Sequence, residues 1–417
     1  MLAAILLTAL GFLLPGLTAA SPLPESTPAA EGIDASRLAR VQELIQSHID
    51  SGKHAGATVL IARHGKIVEW KAYGKRDIEA GTPMEKDTIV RVYSMSKVIT
   101  AVAALQLFEQ GKLQLDSPAA NWLPELRSVG VFSGGTVDSP ETVPPTNQIT
   151  VKMLLNHTAG FTYDFFSGSH VHELYKRADL WNSSSLDEFM TRVGKLPLLT
   201  QPGTAYNYSI SDDVLGALIQ RASGEKFEDY VAAHITRPLK MNDTFFDVPS
   251  DKMSRVAKLH EIKDGRLRTT PEILGAYAEA GRGIPAGGAG LFSTIGDYAR
   301  FVQCLLDGGT LDGTRILGRK TVELARLDSL EALPWPRANA RVTPADGWGL
   351  FSAVRTDVAK GNEPGSEGMF YWSGAATTHF FADPKEHLIA LVFCQHLPFD
   401  QHGLFSKFRT AVYQSLE

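Results

Sequence analysis

Cysteine is nearly absent: the 417 residues hold two, Cys304 and Cys394. Two thiols cannot build a disulfide framework. One sits in an expected helix (297–306) and the other in an expected strand, both among apolar neighbours, so both read as small buried side chains. No Cys-x-x-Cys pair or His-Glu-x-x-His string is present, and the nearest cluster, His170-Val171-His172-Glu173, is not read as a ligand set. No metal or other cofactor is therefore expected. Net charge is also small, at −5, which gives no reason to expect nucleic acid or an anionic membrane as partner. Internal repeats are missing too. What remains is 44% hydrophobic and 21% charged, ordinary for a soluble globular chain with a sizeable core. The length allows two or three average domains or one large composite fold, and nothing in it sets an oligomeric state.

One apolar run stands apart at the N-terminus. Residues 2–20 are almost wholly apolar and end in Leu17-Thr18-Ala19-Ala20-Ser21. Small residues before a cut near Ala20 suggest a signal peptide, hence a secreted or periplasmic protein. The stretch carries no Lys or Arg and approaches the length of a membrane span, so an uncleaved anchor stays open. No cysteine follows it, which excludes a lipoprotein cut.

The rest of the chain falls into three parts. Residues 21–32 are rich in Pro, Ser and Ala and read as a linker. Residues 34–49 suit an amphipathic helix capped by Asp34 or Ser36. The runs 57–63 and 66–73, joined at His64-Gly65, suit a hairpin with His64 as a turn residue. After Gly111 the pattern turns to helix and loop: helices at 151–155, 186–193 and 214–222, and a long surface loop at 130–147. Strand character returns at 290–293, 348–354, 369–373 and 380–393, the last broken at Asp383-Pro384. Residues 327–344 read as loop, and a helix at 406–416 closes the chain. Strands near both ends with helices between them predict an α/β (α+β) domain, 33–110 plus 285–417, with a mostly helical domain, 111–284, inserted. A cleft between the two is the default place for a site.

The sequence centres on Ser94-Met95-Ser96-Lys97. It follows a strand-like run, 88–92, and opens a segment in which Val98, Val102, Leu105 and Phe108 recur at helical spacing, which predicts a helix packed along one face. Ser94 and Lys97, three residues apart, point the same way on its first turn. A serine hydroxyl is a weak nucleophile until an adjacent base takes its proton. A neutral lysine amine serves, and both burial and the positive end of a helix favour the neutral form. Free backbone N–H groups at that end can hold an oxyanion.

Four further strings carry a resemblance. Leu154-Leu155-Asn156-His157-Thr158-Ala159-Gly160-Phe161, Pro202-Gly203-Thr204-Ala205-Tyr206-Asn207-Tyr208-Ser209, Gly287-Gly288-Ala289-Gly290-Leu291-Phe292-Ser293-Thr294 and Trp372-Ser373-Gly374-Ala375 follow Ser94-Met95-Ser96-Lys97 in order. Together they resemble the motifs of the serine β-lactamase and penicillin-binding-protein superfamily, in its class C branch, over nearly all of the chain after Ile33. The resemblance implies a β-lactamase-like fold, an antiparallel sheet flanked by helices. It implies Ser94 as the acylated nucleophile, with Lys97 and Tyr208 sharing the general-base task. A tyrosine oxygen titrates near ~10, so it acts as base only when a neighbouring cation stabilises the phenolate. The backbone N–H groups of Ser94 and Ala375 would form the oxyanion hole. Tyr206 is the weaker competitor for the base, His157 and Thr158 would brace a turn, and Asp213 would be structural.

Two departures bear on the substrate. Where class C β-lactamases have Tyr-x-Asn, this chain has Ile210, and where their third motif has lysine it has Trp372. A site without the amide partner and the carboxylate clamp should favour neutral, apolar acyl substrates over β-lactams. Trp372 and Gly374 would then contact the substrate. The pattern is similar to family VIII carboxylesterases and related acyltransferases. The expected activity is hydrolysis of small carboxylic esters of short to medium acyl chain through an acyl-enzyme. A β-lactamase or D-alanyl-D-alanine carboxypeptidase, an acyltransferase and a non-catalytic peptidoglycan-binding homologue stay open as alternatives.

Overall fold

The computed structural model describes residues 22–273, 283–333 and 342–417. The expected signal peptide and parts of the 111–284 and 327–344 stretches thus lie outside the described residues. The frame is an eight-stranded antiparallel sheet. From one edge to the other its strands are Asp346–Trp348, Ala353–Arg355, Phe370–Gly374, Thr378–Asp383, Leu388–Phe393, Gly56–Arg63, Lys66–Asp77 and Thr82–Pro83. N-terminal and C-terminal segments meet where Gly56–Arg63 pairs with Leu388–Phe393, Thr58 opposite Phe393 and Arg63 opposite Leu388. Both of these strands are buried almost end to end. That requires cover on both faces, and explains their unbroken apolar runs. The Gly56–Arg63 hairpin turns at His64 and Gly65, both with positive φ, as a tight turn matched to strand twist demands.

One face is covered by the helices Ala35–Asp50 and Leu404–Tyr413. Asp34 caps the first, its Oδ1 accepting from the Ser36 and Arg37 N–H groups at 2.8 and 3.1 Å. Leu38, Val41 and Ile45 from that helix meet Phe408 and Val412 from the other in one apolar layer. The opposite face carries the helix Ile295–Leu306, and Ser96–Glu109 shares its apolar core. Both cysteines are free and buried.

Several expectations need correction. The helix opened by the Ser94 motif is not amphipathic: Ser96 through Leu107 are all buried. It is enclosed because Ser211–Ser223 and Phe227–Val231 pack against it within the shared apolar core. Residues 22–32 are packed rather than a free linker. Ile67 N–H donates to the Pro24 carbonyl, Ser26 N–H to the Ile67 carbonyl, and buried Glu31 pairs with Lys66 at 2.9 Å. The 130–147 stretch holds a hairpin, Val131–Gly135 with Pro140–Val143. Its Gly, Pro and Thr content hides the strand because only Val131 and Phe132 reach the apolar interior. A second hairpin, His260–Lys263 with Arg266–Thr269, lies in the stretch read as helical and pairs with His396–Leu397. The 348–354 run is two strands, its middle residues making the turn between them.

Candidate active site

Ser94 sits in a 3-10 turn, Tyr93–Met95, directly before the helix Ser96–Glu109. The turn is tied down from several sides. Val90 and Arg91 pair with Ser293 and Phe292, Val92 N–H donates to the Leu291 carbonyl at 3.1 Å, and Tyr298 Oη–H donates to the Met95 carbonyl at 2.9 Å. Tyr93, fully buried, holds φ at +43°. A bulky residue in that region is strained and persists only where the surroundings enforce it. The strain falls on the residue that presents Ser94 to the cleft.

Lys97 is 1% exposed. Its Nζ donates to the Gly288 carbonyl at 2.7 Å and to Tyr163 Oη at 2.8 Å, and reaches Ser94 Oγ at 3.5 Å. The nitrogen lies 4.7 Å from the centre of the Tyr208 ring. Gly288 comes from the Gly-rich string, which runs beside the helix: Leu291 N–H donates to Ser96 Oγ at 3.0 Å, and Thr100 Oγ1 to the Gly287 carbonyl at 2.7 Å. A Cβ on Gly288 would stand 2.6 Å from Asp213 Oδ2 and 2.8 Å from Tyr163 Oη, so the close approach requires glycine.

Asp213, expected to be structural, accepts from the Gly288 N–H at 2.8 Å and faces Tyr163. Burial pushes its carboxyl up to about 6, against the pull of Lys97 and of its hydrogen bonds. Burial likewise raises Tyr163 well above the phenol range, with Asp213 adding to it. Tyr163 was not anticipated. It stands two residues past Phe161, the end of the second resemblance string, and that proximity is the only sequence signal it gives.

Tyr208 is 4% exposed and lines the cleft, and its Oη has no hydrogen-bond partner among the described residues. Tyr206 lies deeper, fully buried, its ring edge-on to His157 at 5.8 Å. The His157 ring packs 4.8 Å from Tyr208 and its Nε2 lies 3.4 Å from Asp212. Burial drives both members of that pair towards their neutral forms. Trp372 packs on Tyr208 at 5.4 Å and edge-on against Trp348 at 4.4 Å. Trp348, also not anticipated, anchors through its Nε1–H to the Leu155 carbonyl at 3.0 Å.

Gly374 ends its strand against the Tyr93–Met95 turn. A Cβ there would meet the Val92 carbonyl at 2.2 Å, so a side chain cannot be accommodated. Ala375 follows, packs with Tyr93 in one small cluster and lines the same cleft as Ser94. Ile210 is buried at the start of the helix Ser211–Ser223 and lines no part of the cleft.

The cleft has a volume of about 840 Å³ and is walled by Ser94, Tyr208, Trp372, Ala375, Phe165 and Phe399, among others. His170 and His172 lie elsewhere, on the helix His170–Arg177. A serine at a helix start, a buried lysine against it and an apolar cleft make up a site of the serine hydrolase type.

The chain belongs to the beta-lactamase family, whose model matches residues 41–410. It is 31% identical to esterase EstB of Burkholderia gladioli, over 85% of this chain and 90% of that protein. It is also 31% identical to a lovastatin esterase of Penicillium rubens, over 82% and 89%. Among solved structures, EstCE1, described as a hydrolase with promiscuous acyltransferase activity, superposes with a TM-score of 0.78 at 26% identity. That match covers 92% of this chain and all of the other. The fold is therefore β-lactamase-like, and the chain is of a serine hydrolase type.

Proposed function

We propose that the protein hydrolyses carboxylic esters of short to medium acyl chain through an acyl-enzyme on Ser94. The observation that carries this reading is the contact of buried Lys97 with Ser94 Oγ at 3.5 Å, in a cleft where Trp372 stands in the third motif. In the proposed course the substrate carbonyl lies between Ser94 Oγ and the N–H groups of Ser94 and Ala375. Tyr208, beside the Lys97 nitrogen, takes the Ser94 proton as Oγ attacks. The tetrahedral oxyanion rests on the two N–H groups, whose loss would cost about 100- to 1,000-fold each. Collapse breaks the ester C–O bond, and Tyr208 returns the proton to the departing alkoxide. Water then enters, gives a proton to Tyr208 and attacks the acyl carbonyl; as this second tetrahedral intermediate collapses, Tyr208 passes that proton to the departing Ser94 Oγ, which releases the acid and restores Ser94. Tyr208 Oη, buried and unpartnered among the described residues, is free for both transfers.

The substrate class rests on the walls. The cations that line the cleft are paired, Arg355 with Asp346 at 2.8 Å, Arg409 with Glu363 and Lys360 with Asp357 at 2.9 Å, so none of the three stands in for the missing lysine clamp. A panel of p-nitrophenyl esters of graded chain length, run beside a chromogenic cephalosporin, tests the reading. Butyrate-range esters should be turned over fastest; faster turnover of the cephalosporin would defeat it. The relation to EstCE1 favours one second reading, in which an alcohol captures the acyl group. Product analysis with added alcohol measures that branch. Export directed by residues 2–20 belongs to the same proposal, and N-terminal sequencing of protein from the culture fluid checks it.

A further inference from the structure

Four imidazoles meet behind one wall of the cleft. His48 stands in the last turn of the helix Ala35–Asp50 and His54 just before the strand Gly56–Arg63. His396 belongs to the strand His396–Leu397, and His402 comes just before the helix Leu404–Tyr413. Between these last two the chain passes along the cleft, which Leu397, Pro398, Phe399 and Asp400 line. Few backbone contacts hold that passage: His396 N–H donates to the Ala376 carbonyl at 3.0 Å, Asp400 N–H to Thr377 Oγ1 at 3.2 Å and Gly403 N–H to the Asp400 carbonyl at 2.9 Å. Phe399 is 45% exposed. The imidazoles supply the rest of the anchorage. The His54 ring centre lies 5.0 Å from that of His396 and 5.4 Å from that of His402, and the latter two are 5.4 Å apart.

Such a cluster holds while its rings are neutral. His48 and His54 face each other through Nδ1 atoms 3.2 Å apart, so one donates and the other accepts. Charging both would set two donors against each other. His54 Nε2, His396 Nδ1 and His402 Nε2 are buried with no hydrogen-bond partner among the described residues, so a proton added to these rings would bring a charge with no acceptor to meet it. Burial first, then Lys53, Lys407 and the neighbouring imidazoles, hold His48, His54 and His402 below the usual imidazole range. His396 is held down by burial, with His402 and His260 adding, against the pull of Gln401 and of Glu261 on the paired strand. Asp400 works the other way. Burial, with Glu363 adding, lifts it to about 6 against Lys407 and the N–H groups of Leu404 and Phe405.

We propose that His54, His396 and His402 are positioning residues that latch residues 397–403 against the body of the protein, and that charging them in acid releases this part of the cleft wall. Released rings titrate near 6.5, above their latched values, so the open form binds more protons below that pH and acid favours opening. For His54, latched at about 2, the opening equilibrium rises about tenfold between pH 7.5 and 5.5. Asp400 opposes by about fourfold over the same interval, an amount common to variants that keep it.

Hydrogen exchange followed by mass spectrometry reads the opening directly. Protection of the peptide amides at 396–404, corrected for the intrinsic rate and referred to the strand Leu388–Phe393, is measured at pH 7.5 and 5.5. From the higher to the lower pH, wild type should lose about tenfold more protection than His54→Phe. His54→Gln, which can hydrogen-bond but not take a charge in this range, should match His54→Phe and carries the test if phenylalanine does not fit. His402→Phe should flatten the profile in the same sense. A difference between wild type and both His54 variants of less than twofold would overturn the latch. The consequence for catalysis rests on the Ser94 reading of the cleft: KM for p-nitrophenyl butyrate should rise towards pH 5.5 more in wild type than in His54→Phe, with the kcat profiles parallel. Parallel KM profiles beside the expected exchange would overturn the link to the cleft wall. Esterase activity that survives Ser94→Ala would instead sink the site reading, and the exchange result would stand apart from it.

Discussion

Replacing His54 should flatten the pH dependence of stability by an amount the structure sets. His48 and His54 are 3% and 1% exposed, their rings stacked at 5.2 Å with the two Nδ1 atoms 3.2 Å apart. His396 and His402 stand edge-on to His54 at 5.0 and 5.4 Å. Burial, with Lys53, Lys407 and His402 adding repulsion, pushes His48 down to about 4. Burial and the neighbouring imidazoles push His54 to about 2. Both native values lie below the unfolded value of about 6.5, so the unfolded chain binds more protons below that pH. The neutral imidazoles' stability is complete above pH 6.5 and is lost as pH falls. At pH 5.5 each imidazole costs RT ln(1 + 10), about 1.4 kcal/mol.

The raw curve will not show this cleanly. Asp213, Asp297 and Asp400 are raised to about 6 by burial. Their native proton uptake works the other way, about 0.8 kcal/mol each at pH 5.5. Groups of both signs thus contribute to the raw curve, so the difference between variants is the quantity to read. Urea unfolding of wild type and His54→Phe at pH 7.5 and 5.5 should give a double difference of about 1.4 kcal/mol, with wild type the more acid-sensitive. A double difference under about 0.5 kcal/mol would refute the linkage argument.

Other expectations concern the cleft. Tyr208→Phe should lower kcat for p-nitrophenyl butyrate by about 100-fold or more at nearly unchanged KM, while Tyr206→Phe stays within a few-fold. Comparable losses in the two would reassign the base. Gly374→Ala should cost about 100-fold in kcat and lower the thermal midpoint, because its Cβ would enter the Val92 carbonyl at 2.2 Å. Gly288→Ala should do likewise by parting Asp213 and Tyr163, and unchanged kinetics would show that the Lys97 cradle is not needed.

Much of this was legible as local pattern. Asp34 capping, the His64-Gly65 turn and the Ser94-Lys97 spacing each depend on residues a few positions apart, and such relations survive in a linear text. Tyr163 did not show, because its place follows from a contact with Lys97 across 66 residues. Trp348 read as ordinary strand, since nothing in its neighbours records the Trp372 ring it meets. The helix after Ser94 shows the same gap: its apolar spacing predicts a buried face, while the burial of its other face depends on the Ser211–Ser223 helix. Residues 22–32 look like linker by composition, yet backbone hydrogen bonds to Ile67 hold them, and backbone bonding leaves no compositional trace.

The central claim is covalent chemistry at Ser94. Rapid-quench mass spectrometry of the protein mixed with p-nitrophenyl butyrate, followed by peptide mapping, tests it most directly. The account predicts a butyryl adduct on the peptide that contains Ser94, absent in Ser94→Ala, whose esterase activity falls to background. Undiminished turnover by Ser94→Ala, or an adduct on another residue, would contradict it.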